Sequence, residues 1–250
     1  MYHIPVLLPE SIEALAIKPD GIYVDCTFGG GGHSRAILDR LDHKGRLYGF
    51  DRDKDARENV PYDERFTFVR GNFKHIGNFL RYYGITHVDG IIADLGVSSH
   101  HFDEAERGFS YRFDGALDMR MNRNADFTAD KLINNYSEDD LADLLYRYGE
   151  VRAARRIAAA IVRRRQAAPI RTIAELLEVL KPFCTKGKEN KELAPIFQAI
   201  RIEVNAEMDA LKMMLLQSVD LLSKGGRIAV IAGRPTASLT PYRAEGSMRK

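Results

Sequence analysis

The chain has 250 residues, 45% hydrophobic and 29% charged, a balance typical of a folded globular protein and not of a disordered one. No apolar run approaches the roughly 20 residues that a membrane-spanning helix needs, and no secretion signal opens the sequence, so we expect a cytoplasmic protein. Cys26 and Cys184 are too few for a disulfide framework and lack the paired spacing of a zinc site.

Short apolar runs alternate with helical patterns in the first part of the chain. Strands are predicted at 22–28, 46–50, 66–69 and 88–93, and helices follow the first three at 34–41, 54–59 and 76–83. A fifth strand is predicted much later, at 227–231. This alternation indicates an α/β protein with a mostly parallel sheet and right-handed crossovers.

The long segment between the fourth and fifth strands has a different character. A polar loop rich in arginine and aromatic residues spans 95–125, and helices are predicted at 129–134, 138–146, 151–165, 173–180 and 195–222. Ser137 followed by Asp140 is a typical helix start. We interpret 124–192 as a helical domain inserted into an α/β domain formed by 1–123 and 193–250.

Four consecutive glycines stand in the stretch VDCTFGGGGHSRAIL, between the first strand and the first helix. A glycine turn lets a ligand approach the backbone closely, and a helix start offers unpaired N–H groups. Asp51 ends the second strand 19 residues after Gly32, where a nucleotide site needs a carboxylate for the ribose hydroxyls. The pattern indicates a nucleoside-containing ligand, with a merely tight turn as the alternative.

A second carboxylate follows the fourth strand in the stretch IIADLGVSS. Asp94 ends this strand at the carboxyl edge of the sheet, where open α/β folds bind ligands, and a glycine follows soon after. We therefore expect Asp94 to face the same crevice as Gly31 and Asp51. A solvated aspartate that forms a turn is the alternative.

Several blocks carry a resemblance to a known family, in the order HIPVLLPESI, DCTFGGGGHS, GFDRD, ADLGVSS, ERGFSYRFDGALDMRM and FQAIRIEVNAE. They resemble the bacterial methyltransferases that modify a cytidine of small-subunit ribosomal RNA at its exocyclic N4, using S-adenosylmethionine. The resemblance runs from about His3 to Ile231. It implies a Rossmann-like methyltransferase fold with an inserted helical domain for substrate recognition. The implied partner is ribosomal RNA or the small ribosomal subunit.

The resemblance also implies the residues that contact S-adenosylmethionine: Gly31, Gly32, His33, Asp51, Phe73, Asp94 and His101. His101 stands where the family has a glutamine. After Ile231 the chain continues as AGRPTASLTPYRAEGSMRK, whereas the family has a further block and two more strands. This departure predicts an incomplete sheet with an uncovered edge.

Methyl transfer requires the weakly nucleophilic cytidine amine to be held in line with the methyl group of the cofactor. It also requires an acceptor for one proton of that amine. Asp94 is the candidate for this catalytic role. An alternative, which the resemblance supports equally, assigns Asp94 only to holding the amino group of the cofactor.

Two arginine-rich segments are candidates for contact with RNA. The loop 106–122 mixes charged and aromatic side chains suited to phosphates and unpaired bases: Arg107, Phe109, Arg112 and Arg120. Its alternative is a packed lid in which Asp114 and Asp118 form salt bridges.

The segment 147–171 holds eight arginines against one acid, a local charge of +7. Four of them recur at helical spacing, and phosphate neutralisation there would weaken as salt is added: Arg152, Arg155, Arg156 and Arg163. A solvated helix face is the alternative.

Other functions compete with methyl transfer. A nicotinamide-dependent oxidoreductase would share Gly31 and Asp51, but a dinucleotide fingerprint would need a third glycine where Ser34 stands. An inactive RNA-binding homologue would fit the altered end of the chain. Adjacent His100 and His101 do not make a metal site without a third ligand. The open sheet edge and exposed apolar positions on the insertion favour a homodimer.

Overall fold

The structure is a computed structural model that describes residues 5–96 and 107–232. A five-stranded sheet forms its centre, and every pair of neighbouring strands is parallel. The strands are β1 (Ile22–Asp25), β2 (Arg46–Asp51), β3 (Phe66–Arg70), β4 (Val88–Leu95) and β5 (Leu222–Ala232). The predicted α/β fold with a parallel sheet is confirmed.

Nine α-helices lie within the described residues. The first three flank the sheet: α1 (Leu8–Leu15), α2 (Gly32–Leu38) and α3 (Ile76–Tyr82). The other six fall between β4 and β5: α4 (Ala129–Asn135), α5 (Glu138–Gly149), α6 (Ala154–Ala167), α7 (Ile173–Leu180), α8 (Glu189–Val204) and α9 (Glu207–Leu221).

A further helix, Asp55–Asn59 between β2 and β3, winds more tightly, with 3₁₀ rather than α geometry. The helix predicted at 54–59 therefore forms, but not as a regular α-helix. Single 3₁₀ turns also occur at Phe73–His75 and Lys181–Phe183. None of the helices in 5–96 and 107–232 is long and apolar enough to cross a membrane.

The strand order β3-β2-β1-β4-β5 places the first strand in the middle of the sheet. The chain runs outward from β1 to β3, then returns to the other side of β1 to form β4 and β5. In such a sheet the carboxyl ends of the two strands at the reversal, here β1 and β4, flank a crevice that binds ligands. The glycine turn after β1 and Asp94 near the end of β4 lie at this reversal.

Both faces of the sheet are covered, as expected for parallel strands. Successive residues of β4 point to opposite faces, so Ile91 packs with Phe50 and Met214 while Ile92 packs with Leu15 and Ile37. These side chains are buried. The two layers of packing hold the strand ends at the crevice in fixed positions.

A separate hydrophobic core joins α4 to α8, five of the six helices between β4 and β5, whereas α9 packs against the sheet. Ser137 begins α5 by accepting a hydrogen bond from the Asp140 N–H, as predicted, and Thr172 with Glu175 forms a capping box at α7. The core runs from Phe109 to Val204, beyond both ends of the predicted insertion 124–192. The assignment of that insertion to substrate recognition stays a prediction.

Two features of the helices differ from the sequence expectations. The helix predicted at 195–222 is two helices, α8 and α9, because Asn205 and Ala206 interrupt it and Ala206 takes a left-handed conformation (φ 47°). Helix α1 was not predicted. At the other end of the chain, β5 is the outer strand of the described sheet, and residues 233–250 lie outside the described residues.

Candidate functional site

The glycine turn after β1 requires glycine for two separate reasons. Gly31 has a left-handed conformation (φ 75°), and a Cβ atom there would lie 2.9 Å from the ring of Phe28. A Cβ atom on Gly32 would lie 2.2 Å from the side chain of Pro5, which is closer than atoms can approach. The turn is therefore packed closely against Phe28 and Pro5, and only glycine fits at these two positions.

Asp25, the last residue of β1, braces this turn from inside the protein. Its carboxylate accepts hydrogen bonds from the Thr27 N–H (3.0 Å) and from the Ser34 hydroxyl (2.7 Å). Burial raises the pKa of Asp25, and the two hydrogen bonds offset this only in part. One buried carboxylate thus ties the strand, the turn and the start of α2 together.

Asp51 lies at the end of β2, next to the turn. Its carboxylate accepts hydrogen bonds from the Gly29 N–H (2.8 Å) and from the Asp53 N–H (2.8 Å). The sequence prediction that Asp51 faces the glycine turn is consistent with this contact. Its contact with a ribose stays a prediction.

Asp94 reaches the same crevice from β4. Its N–H donates to the Thr27 hydroxyl (2.7 Å), which fixes the end of β4 against the glycine turn. The Asp94 carboxylate is 33% exposed, and its Oδ2 lies 3.8 Å from Nδ1 of His33. Burial raises the pKa of Asp94, while His33 acts in the opposite direction.

His33 lies in α2 between two acids. Its ring is buried, and its Nε2 has no hydrogen-bond partner among residues 5–96 and 107–232. His33 acts on both Asp25 and Asp94, where it opposes the rise in pKa that burial causes. A buried ring nitrogen without a partner is unusual in a folded protein and marks the crevice as a place for a polar group of a ligand.

Phe73, the predicted adenine contact, is buried just after β3. The guanidinium of Arg52 lies 5.8 Å from the centre of its ring, at cation–π distance. Arg52 also donates a hydrogen bond to the Asn205 carbonyl (2.9 Å), at the junction of α8 and α9. Burial lowers the pKa of Arg52.

The structure brings six of the seven predicted cofactor residues to one rim of the sheet, at or just beyond the carboxyl ends of β1, β2, β3 and β4. They are Gly31, Gly32, His33, Asp51, Phe73 and Asp94. His101 lies outside the described residues. Within those residues, no three His, Cys, Asp or Glu side chains are grouped as metal ligands would be.

The predicted RNA contacts Arg107 and Phe109 are interior residues. The Arg107 guanidinium is 3% exposed and forms an ion pair with Asp53 (2.8 Å), and Phe109 is 4% exposed in the helical core. Arg107 also donates to the Arg120 and Met121 carbonyls. Their burial does not fit the predicted contact with RNA and favours the alternative of a packed lid.

Asn205 fastens the same loop from the opposite side. Its side-chain amide donates to the Met119 carbonyl (2.8 Å), and its Oδ1 accepts from the Met121 N–H (2.8 Å). Met119 is fully buried in a left-handed conformation (φ 59°), which a non-glycine residue adopts only when its surroundings hold it there. Asp53 and Asn205 together make this loop part of the sheet rim.

Of the other two arginines predicted to contact RNA from the loop, one is held in a salt bridge and the other is exposed. Arg120 pairs with Asp118 through two hydrogen bonds of 2.7 Å, which is the salt bridge that the alternative expected. Arg112 is exposed. Of the four predicted loop contacts, Arg112 is the one whose side chain is fully available at the surface.

The arginine face of α6 is exposed as predicted. Arg152 precedes the helix, and none of the four predicted arginines has a carboxylate partner in the described part of the chain; Arg156 lies 5.6 Å from the centre of the Phe183 ring. The four are Arg152, Arg155, Arg156 and Arg163. By contrast, Arg165 donates to the Ile133 and Tyr136 carbonyls and belongs to the helical core.

Several residues that build the site were not predicted from the sequence: Asp25, Thr27, Ser34, Arg52, Asp53 and Asn205. A carboxylate inside the apolar run IYVDC, followed by Thr27 and Ser34, was a usable signal for Asp25, because a buried acid needs donors nearby. Nothing local in the sequence pairs Asp53 with Arg107, since 54 residues separate them.

Comparisons with known proteins agree with this geometry. The chain is 60% identical over 231 residues to "Ribosomal RNA small subunit methyltransferase H" of Parabacteroides distasonis, a match that covers 92% of this chain and 76% of the relative. The proteins of the same name from Bacteroides fragilis and Porphyromonas gingivalis are 59% and 55% identical, with 92% of this chain covered in each case. A family model described as the MraW methylase family matches residues 1–234. The chain therefore belongs to the MraW methylase family.

Proposed function

We propose that this protein transfers a methyl group from S-adenosylmethionine to the exocyclic N4 amine of a cytidine in small-subunit ribosomal RNA. The names of its relatives support the substrate class. The observation that carries the proposal is the meeting of the glycine turn with Asp51 and Asp94 at the reversal point of the sheet.

The residues at this rim fit S-adenosylmethionine. Gly31 gives the turn its left-handed conformation, and His33 presents a buried nitrogen without a hydrogen-bond partner in residues 5–96 and 107–232. Three carboxylates surround the turn, Asp25, Asp51 and Asp94, and such a setting suits the sulfonium and ammonium charges of this cofactor. Asp51 would also suit the ribose of a nicotinamide dinucleotide, but Asp94 beside the turn would repel its diphosphate, which argues against the oxidoreductase.

When bound, the cofactor supplies an electrophilic methyl group on a positively charged sulfur. The chain's own task is to place the cytidine amine in line with that methyl group and to accept a proton from it. Positioning of this kind can account for a large part of a rate enhancement, about 7–11 kcal/mol in favourable cases. Gly31, Asp51 and Phe73 are assigned to holding the nucleoside part of the cofactor.

Asp94 is assigned the role of accepting a proton from the cytidine amine. As the amine nitrogen forms its bond to carbon, it must lose one of its hydrogens, and an ionised carboxylate can accept it. The Thr27 hydroxyl holds the Asp94 backbone against the turn, so the carboxylate sits at a defined place in the crevice. Burial raises the pKa of Asp94 and so makes it a better base than an exposed carboxylate.

The RNA would reach this rim over exposed cationic side chains. Arg112 on the loop and the four arginines of the α6 face can neutralise phosphates. A ribosomal substrate also accounts for the predicted cytoplasmic location. The predicted homodimer would use the apolar side chains that α9 exposes, among them Leu216 and Val219.

Replacement of Asp94 tests the function and separates its two roles. If Asp94 accepts the proton, Asp94→Asn lowers methyl transfer to small ribosomal subunits by about 10²–10⁴-fold, measured with radiolabelled S-adenosylmethionine, while calorimetry shows unchanged cofactor affinity. The wild-type rate then falls as the pH drops through the raised pKa of Asp94, because the protonated acid cannot accept a proton.

The other outcomes are equally informative. Loss of cofactor affinity together with activity would assign Asp94 to the cofactor alone. Unchanged turnover would remove Asp94 from the site altogether. A wild-type protein that binds RNA and transfers no methyl group would instead support the inactive RNA-binding homologue.

A further inference from the structure

We propose that a small basic pocket beside the cofactor rim binds a backbone phosphate of the RNA substrate. The pocket, called here the junction pocket, lies where the loop after β2 and the end of β3 meet the turn 121–124. The proposal rests on the proposed function and adds three cations that lie outside the two arginine-rich segments predicted from the sequence, Arg52, Lys54 and Arg70.

The junction pocket has the size and charge of an anion site. Its volume is about 60 Å³, and four cationic side chains line it: Arg52, Lys54, Arg70 and Arg123. The acid in its lining, Asp53, is already held in the buried ion pair with Arg107. The pocket therefore keeps a strong positive charge at a concave surface, which attracts anions.

Two of the four cations are available for a ligand. Lys54 and Arg70 are exposed, and neither forms a hydrogen bond or ion pair through its side chain within 5–96 and 107–232. Arg52 is held in place by the Asn205 carbonyl and the Phe73 ring. One fixed guanidinium beside two adaptable cations is an arrangement suited to a phosphate group.

The opposite wall is ordered before any ligand arrives. The Asn124 N–H donates to Oδ1 of Asn122 (3.1 Å), and the Ala125 N–H donates to the Asn122 carbonyl (3.0 Å). Asn205 holds the Met121 N–H, so the turn is anchored to the α8–α9 junction. A preformed wall reduces the entropy that binding would otherwise lose.

The location of the junction pocket relative to Asp51 and Asp94 favours RNA as the source of the phosphate. Arg70 of β3 is the register partner of Asp51 of β2, so the pocket begins next to the predicted ribose carboxylate. Three strand spacings, about 14 Å, separate the end of β3 from the end of β4, where Asp94 lies. A phosphate in the pocket thus belongs to a nucleotide that flanks the modified cytidine.

The test compares two matched double variants, Lys54→Ala/Arg70→Ala in the pocket and Lys44→Ala/Arg81→Ala on exposed sites elsewhere. The probes are a short fluorescent single-stranded RNA and unmethylated small ribosomal subunits. For the pocket variant we expect weaker RNA binding, a salt-dependence slope smaller by about 0.7, and a raised KM for subunits. Its affinity for S-adenosylmethionine stays at the wild-type value, and the control variant behaves as wild type.

Each contrary result has its own meaning. An unchanged slope and KM in a pocket variant that still binds the cofactor would overturn the proposal and leave methyl transfer intact. If calorimetry shows that adenosine 3′,5′-bisphosphate binds the wild type and not the pocket variant, while RNA binding is unchanged, the pocket serves a free phosphorylated nucleoside instead. A wild type that methylates no subunits would contradict the proposed function, whereas the RNA-binding comparison would still decide the pocket.

Discussion

The loop that begins at Arg107 and the exposed face of α6 are both rich in arginine, yet the fold uses their charges in opposite ways. In the loop, Arg107 and Arg120 are paired with Asp53 and Asp118. On α6, Arg155 and Arg163 are exposed and have no carboxylate partner in the described part of the chain. Arginine content alone therefore does not identify an RNA-binding surface, because nearby acids decide which guanidinium groups remain available.

The largest expected difference between the two regions is in stability, and it is tested by removing one arginine from each. Arg107→Ala leaves Asp53 buried without its cation, so we expect a loss of about 3–5 kcal/mol in the free energy of unfolding, measured by urea denaturation. Arg155→Ala, on the exposed face, should stay within about 0.5 kcal/mol of the wild type.

A double variant distinguishes the ion pair from simple loss of packing. Arg107→Met/Asp53→Leu removes both charges, and such replacements are often far less harmful than breaking the pair. It should therefore recover most of the stability that Arg107→Ala loses. Equal losses for Arg107→Ala and Arg155→Ala would show that the two regions do not differ as described.

The α6 face is tested by its effect on RNA rather than on stability. In Arg155→Ala/Arg156→Ala/Arg163→Ala, the salt-dependence slope of RNA binding should fall by about 0.7–0.9 for each phosphate that is no longer neutralised, measured by fluorescence anisotropy at several salt concentrations. The control Arg40→Ala/Lys44→Ala/Arg81→Ala removes the same charge from exposed sites elsewhere. If both triple variants shift the slope equally, only the net charge of the protein matters.

The smallest effect concerns the partly exposed pair within the loop. Asp118 and Arg120 are 25% and 22% exposed, so the pair contributes less than about 1 kcal/mol. Burial raises the pKa of Asp118, but the hydrogen bonds and charge of Arg120 outweigh it and lower the pKa below its usual value. Because the folded state favours the ionised acid, this contribution is present above about pH 4 and is lost as the pH falls through the lowered pKa.

Asp118→Asn isolates that pH dependence. The wild type should be more stable than Asp118→Asn at pH 7, and the difference should shrink as the pH falls to about 3, measured by urea denaturation across this range. Asp220→Asn, at an exposed position on α9, provides the comparison. A constant difference between wild type and Asp118→Asn would show that Arg120 does not stabilise the ionised acid.

Local patterns were enough to predict most of the fold. Strands β1 to β4 are short apolar runs whose periodicity is visible in the sequence, and Ser137 marks the start of α5. The break between α8 and α9 was missed because a helical pattern continues on both sides of it. It arises from the left-handed Ala206 and from the contacts of Asn205, which depend on residues distant in the chain.

The candidate site was predicted in part. The glycine turn, Asp51 and Asp94 lie at strand ends, and parallel topology brings such residues together. Arg107 was assigned to RNA because its partner Asp53 is distant in sequence, whereas Asp118 lies only two residues from Arg120 and was recognised as a partner. Ion pairs between residues close in the sequence can be predicted from it, whereas ion pairs between distant residues depend on the fold.

Asn205 has a consequence for how a substrate is selected. It contacts the loop through Met119 and Met121 and the sheet rim through Arg52, so it joins the helices to the sheet alongside the Arg107–Asp53 ion pair. The fold therefore fixes the distance between the proposed RNA contacts on α6 and the proposed position of the cytidine at Asp94. Under the proposed function, we expect the protein to select its cytidine by the distance between that nucleotide and the phosphates bound on either side of it.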